Sequence, residues 1–113
     1  MHSSFFDALD ALAGSAVVRI DRPKGTAHPR FPGVIYPLDY GYLDGTVAAD
    51  GAGVDVFRGS GPAAVISAVV LTVDAGKRDV EVKVLLGCTP AEIAAVAAFL
   101  SERLGLGTTV VHR

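Results

Sequence analysis

A third of this chain is set against regular structure by its own residues. Between Asp21 and Asp55 stand Pro23, Pro29, Pro32 and Pro37 with Gly25, Gly33, Gly41, Gly45, Gly51 and Gly53, and hydrophobic periodicity nearly vanishes. Proline fixes φ and removes a donor, while glycine leaves the backbone too free to hold a helix or strand cheaply. The core must come from the flanking segments. An irregular stretch of that length inside a compact domain is usually functional or disordered. Its aromatic residues and prolines argue against disorder, so the chemistry is sought there.

The flanks read clearly. Ser3 or Ser4 can cap a helix through FFDALDALA, where Phe6, Leu9 and Leu12 recur at helical spacing and Gly14 ends the pattern. Ser15 to Ile20 predicts a strand, and Val54 to Phe57 a short one entering the turn Gly59 to Pro62. Val65 to Val73 and Val80 to Leu86 are rich in β-branched residues and flank a turn, which predicts a hairpin. Thr89-Pro90-Ala91-Glu92 is a capping box with proline at the first helical position. Ile93, Val96, Ala97, Leu100 and Leu104 follow on one face, Gly105 ends the helix, and Thr108 to Val111 can supply an edge strand. The expected fold is mainly β (α+β): a small OB-like β-barrel or strongly curved sheet, with a short N-terminal helix and a C-terminal helix. It spans 1–113 as one domain.

Composition narrows the function. Half of the 113 residues are hydrophobic and 19% are charged, enough for a packed core. The longest apolar stretch, Ala63 to Val73, is shorter than the roughly 20 residues a bilayer helix needs. The start, MHSSFF, lacks the form of a secretory signal, so the expectation is a soluble cytoplasmic domain with no membrane partner. A net charge of −2 removes the phosphate attraction on which nucleic-acid binders rely, and an oligonucleotide-binding role ranks last. The lone cysteine, Cys88, excludes an internal disulfide and reads as a small buried residue. His2 and His112 look terminal, while His28 can touch a site in the irregular segment.

Asp39, Asp44, Asp50, Asp55, Asp74 and Asp79 all fall at turns or strand starts. Turn chemistry accounts for Asp44, Asp50 and Asp74, whereas Asp55 and Asp79 each open an apolar strand. Converging carboxylates would repel one another unless cations joined them.

The order of these residues carries more. Tyr36-Pro37-Leu38-Asp39-Tyr40-Gly41-Tyr42-Leu43-Asp44-Gly45-Thr46, then Asp50-Gly51-Ala52-Gly53-Val54-Asp55-Val56, resembles the central signature of soluble (family I) inorganic pyrophosphatases. The stretch Ile20 to Thr26 resembles that family's first strand and turn, and Val73 to Lys83 its second acidic segment. The resemblance implies Mg²⁺-dependent hydrolysis of pyrophosphate or a related small phosphoanhydride, with Mn²⁺ as a substitute ion. By the same resemblance Asp50, Asp55 and Asp79 match the principal metal ligands and Asp74 an additional one. Asp21 stands where the family keeps a glutamate, and Tyr40 matches a tyrosine that positions the site. The catalytic set it implies is therefore Asp55, Tyr40 and Asp21. Arg30 falls near an early phosphate-binding lysine, so Arg30, Tyr40 and Lys83 form the implied substrate-binding set. Homo-oligomers are common in the family.

Four departures accompany the match. Ala52 replaces the metal loop's middle aspartate, and Glu81 replaces a lysine, leaving Lys83 on the same strand face to reach the site. The hairpin before the tyrosine–proline step is absent with its arginine, and the chain ends before the family's tyrosine–lysine pair. Two readings stay open: a metal-activated hydrolase, or a non-catalytic pyrophosphatase-like domain binding metal and phosphate ligands or a protein partner.

Overall fold

The computed structural model describes residues 4–62 and 64–113. Ser4 caps α1 (Phe5–Gly14): its hydroxyl accepts from the Asp7 amide at 3.0 Å, and Asp7 accepts in return from the Ser4 amide. Ser3 and His2 lie outside the described residues. The strands β1 (Val17–Arg22), β2 (Asp39–Asp44), β3 (Val54–Arg58), β4 (Ile66–Asp74) and β5 (Asp79–Leu86) follow. The chain then enters α2 (Pro90–Ala98), runs through a wide π turn at Phe99–Arg103 and ends in β6 (Gly107–His112). α2 starts as its sequence demands, with the Thr89 hydroxyl accepting from the Glu92 amide and the Glu92 carboxylate accepting from the Thr89 amide at 2.9 Å. Glu92 also accepts from the Ser60 amide, fastening the turn after β3 to the helix start.

The six strands form one sheet in the order β1-β2-β3-β5-β4-β6. The β3–β5 pair is parallel, and the other pairs are antiparallel. The mainly β fold with a helix near each end is as expected, but the sheet stays open rather than closing into a barrel. β1 and β6 lie at opposite edges, and each face is covered by a helix instead of by the sheet's own curvature.

Two cores result. On one face Phe57, Ala68, Val70 and Leu85 pack with Ile93, Val96, Phe99 and Leu100 of the C-terminal helical segment, beneath Tyr36 and Leu38. On the other, Leu43, Val56, Ile66, Val69, Val84 and Leu86 meet Phe6, Leu9 and Ala13 of α1. Alternation along each strand explains the division, since Val56 and Phe57, or Val84 and Leu85, point to opposite faces. Each large side chain buried in this way contributes roughly 1.5–3 kcal/mol.

β2 lies inside the segment that composition marked as irregular. Gly41 shows why a glycine belongs in it: a Cβ there would stand 1.8 Å from the Arg19 carbonyl oxygen of β1. The rest of the segment also folds back on itself. Ala27 bridges Ile35, the His28 amide donates to Val34 O at 2.8 Å, and the Tyr36 amide donates to Thr26 O at 2.9 Å. The prolines sit where no ladder bond is required of them, and Arg30 rides near the tip of this small loop.

Candidate functional site

Register brings the polar residues together. Asp55 on β3 lies beside Lys83 on β5, and Tyr40 on β2 lies between Phe57 of β3 and Arg22 of β1. The Lys83 ammonium donates to Asp55 Oδ2 at 3.0 Å, to the Tyr40 hydroxyl at 3.0 Å and to Glu81 Oε1 at 3.1 Å. All three N–H groups of the ammonium are thus engaged. Burial alone would push the Lys83 pKa down, but Tyr40, Asp55 and Glu81 outweigh it and hold the ammonium charged, well above its ordinary value. Burial, followed by the nearby Asp55 charge, raises the Tyr40 hydroxyl far above the usual phenol range despite Lys83.

Beside this cluster opens a cleft of about 350 Å³ with Tyr36, Tyr40, Phe57 and Phe99 in its wall. Its polar lining is cationic: Arg22, His28, Arg30, Lys77 and Lys83, with Asp74 the one carboxylate. Arg22 donates to the Tyr36 hydroxyl, and its guanidinium carbon lies 5.5 Å and 5.6 Å from the Tyr36 and Tyr40 ring centres. His28 stacks parallel to Tyr36 at 6.1 Å and touches Phe31 at 5.0 Å. The Arg30 amide donates to His28 Nδ1 at 3.1 Å, so a neutral His28 carries its proton on Nε2. Burial and then the positive charges of Arg22, Arg30 and Lys77 depress the His28 pKa below 6.5. Three cations from three separate segments thus line one cleft with this imidazole.

Arg22 was not legible in the sequence. The register of β1 slips between Ile20 and Arg22, so Asp21 is the extra residue of a β-bulge. The bulge reverses side-chain parity and puts Arg22 against Tyr36 and Tyr40. Asp21 stays exposed and borders neither the cleft nor the groove described below. Arg58, without an evident partner in the sequence, pairs with Asp39 at 3.0 Å, and Asp39 also accepts from the Lys24 amide. Burial and then the Glu92 charge push the Cys88 thiol up to about 11.

The remaining carboxylates are spread out. Asp50 accepts from the Ala52 amide at 2.9 Å in an exposed turn, and Asp74 accepts from the Lys77 amide at 3.0 Å. Asp79 faces Asp74 across the end of the hairpin. Asp50, Asp55, Asp79 and Glu81 border a second groove, of about 450 Å³, on the side that α1 covers. That groove is otherwise apolar, walled by Phe5, Leu9, Leu12, Val54, Val80 and Val82.

No protein-family model matches the chain, and no curated protein matches it in sequence. Solved structures do match. An inorganic pyrophosphatase from Coxiella burnetii superposes with a TM-score of 0.58 at 15% identity, covering 84% of this chain and 82% of that one. An inorganic pyrophosphatase from Helicobacter pylori gives 0.56 at 13% identity, with 84% and 81% covered. An inorganic phosphatase from Anaplasma phagocytophilum gives 0.54 at 19%, again with 84% and 81% covered. The fold is that of the inorganic pyrophosphatases.

Among the described residues no three of His, Cys, Asp and Glu stand close enough to share a metal ion. Asp55 and Glu81 converge on the Lys83 ammonium. Asp50 and Asp74 are each used by their own turn. Of the metal ligands that the resemblance implies, Asp55 faces Lys83, Asp50 and Asp74 sit in turns, and Asp79 pairs in register with Asp74. Tyr40, Arg30 and Lys83 do line one cleft.

Proposed function

We propose that this chain recognises pyrophosphate or a related small phosphoanhydride in the cationic cleft above Tyr36 and Tyr40. The observation that carries the reading is that Arg22, His28, Arg30 and Lys77 line one cleft on a pyrophosphatase fold. Guanidinium groups offer paired N–H donors in a plane that matches phosphate oxygens, and Lys77 adds a point charge. The aromatic wall lowers the local dielectric and strengthens those contacts. Arg22 is held ready by Tyr36, so little side-chain freedom is lost on binding. The ligand is a small soluble anion and the site is cytoplasmic.

A second reading, hydrolysis of the same ligand with Mg²⁺ or Mn²⁺, is favoured by the fold and by the ordered sequence blocks from Ile20 to Lys83. Both readings meet one experiment. Pyrophosphate is titrated into ¹⁵N-labelled protein in EDTA, and phosphate release is then assayed with Mg²⁺ or Mn²⁺ beside Asp55→Asn. Shifts centred on Arg22, His28, Arg30 and Lys77 support recognition, and their absence in every condition rejects it. Metal-dependent release that disappears in Asp55→Asn establishes hydrolysis.

A further inference from the structure

We infer that Lys83 is the resident cation of this site, standing where a bound divalent ion would otherwise neutralise Asp55, so that the cleft takes its phosphate ligand without metal. For the ligand this rests on the reading above; for the cation it rests on the side chains alone. The β3–β5 pair is the parallel one in the sheet, and it sets Asp55 and Lys83 directly side by side. Glu81 is two residues back on β5 and therefore on the same face. The result is an ammonium between two carboxylates, at 3.0 and 3.1 Å, with a phenol at 3.0 Å completing its donors.

Exposure supports the assignment. The Lys83 side chain is 7% exposed, against 28% for Asp55 and 31% for Glu81. The positive charge is thus the inner partner and the carboxylates form its outer shell, an order opposite to that of a lysine reaching out from the surface. A divalent ion approaching Asp55 or Glu81 meets a fixed positive charge already bonded to both. Displacing it would strand a buried ammonium. Asp50 and Asp74 each bond the backbone of their own turns instead. Lys83 has no N–H left for a phosphate oxygen, so it acts as a positioning residue: it holds Tyr40 in the cleft wall and cancels the acidic charge behind it. The phosphate is then held by Arg22, Arg30 and Lys77, whose charges need no metal to join them to an anion.

The test uses the full chain and Mn²⁺ as a paramagnetic probe. Mn²⁺ is titrated into ¹⁵N-labelled wild-type protein, Lys83→Arg and Lys83→Met. Broadening localised at Tyr40, Asp55 and Glu81 is expected in Lys83→Met alone, with at least a tenfold tighter site than in the two cationic forms. Localised broadening in wild type at stoichiometric Mn²⁺ overturns the inference, and this arm decides even if Lys83→Met does not fold. In the second arm, pyrophosphate binding in EDTA is compared with binding at a Mg²⁺ concentration matched for free ligand. Affinities within about threefold are expected. A tenfold or greater requirement for Mg²⁺ overturns the inference. If pyrophosphate binds in neither condition, the ligand assignment falls, while the Mn²⁺ arm still judges Lys83.

Discussion

Lys83 and Tyr40 are 43 residues apart in the chain and meet at 3.0 Å, ammonium to hydroxyl, across the intervening strand β3. With Asp55 on that strand, the contact ties β2, β3 and β5 into one polar unit beneath the aromatic wall of the cleft.

Removing the ammonium should loosen that unit. Lys83→Met leaves Asp55 and Glu81 facing each other without a counter-ion, which in a fully buried site costs about 3–5 kcal/mol. Both carboxylates reach water, so the expected loss is nearer to about 2 kcal/mol. Urea unfolding measures it, and a change below about 0.5 kcal/mol would show the network to be a surface ion pair.

Arg22 should matter to the ligand and Lys24 should not. A hydrogen bond to a charged group contributes about 1.5–3 kcal/mol, so Arg22→Gln is expected to weaken pyrophosphate binding by about tenfold or more. Lys24, exposed and outside the cleft lining, serves as the control of equal charge. Calorimetry that finds the two substitutions equivalent removes Arg22 from the site.

His28 gives the cleft a pH dependence with a definite sign. Its folded pKa is depressed below 6.5 by burial and by Arg22, Arg30 and Lys77, so the unfolded chain takes up the proton first. Stability is therefore expected to fall as pH drops below about 6.5 towards the folded value, and to be unaffected by His28 above it. An anion seated among the same three cations reverses the effect and raises the His28 pKa. With sulfate, ionised throughout this range, binding should tighten as the pH falls. Titration of the imidazole by NMR, with Tyr36 and Phe31 as its ring neighbours, reads both changes.

Gly41→Ala should be among the most damaging single changes in the sheet. The added methyl would stand 1.8 Å from the Arg19 carbonyl oxygen, a backbone atom of the paired strand. Overpacking of this kind costs about 3 kcal/mol, and here it would push β1 away and carry Arg22 off with it. Gly14→Ala, with no atom within 4 Å of the new Cβ, is expected to be neutral or stabilising by about 0.5 kcal/mol. Thermal melts of the two variants side by side check the contrast.

The elements legible in the sequence are those decided by near neighbours. The α2 capping box, the hairpin of β4 and β5, and the apolar stripe of α1 each depend on residues a few positions apart; the first two stand where expected, while in α1 Phe6 and Leu9 pack on the sheet with Ala13 and Leu12 stays exposed. β2 was not legible, because Gly41 and the surrounding prolines and aspartates have low strand propensity. Its pairing with β1 and β3 outweighs that local preference. The barrel expectation gave way to an open sheet for a related reason. Closure depends on which strands meet at the edges, and here β1 and β6 stand at opposite edges while a helix packs on each face.

The site divides along the same line. The family resemblance implied Tyr40, Arg30 and Lys83 as a substrate-binding set, and these three side chains line one cleft. Only the tertiary structure could assign their partners. The one-residue bulge at Asp21 decides that Arg22 faces the aromatic wall, and the parallel register of β3 and β5 decides that Asp55 meets an ammonium. Side-chain chemistry is written locally, but the counter-charge each group meets depends on strand register. Register is set by packing over the whole sheet, where a shift of one residue turns a side chain to the opposite face.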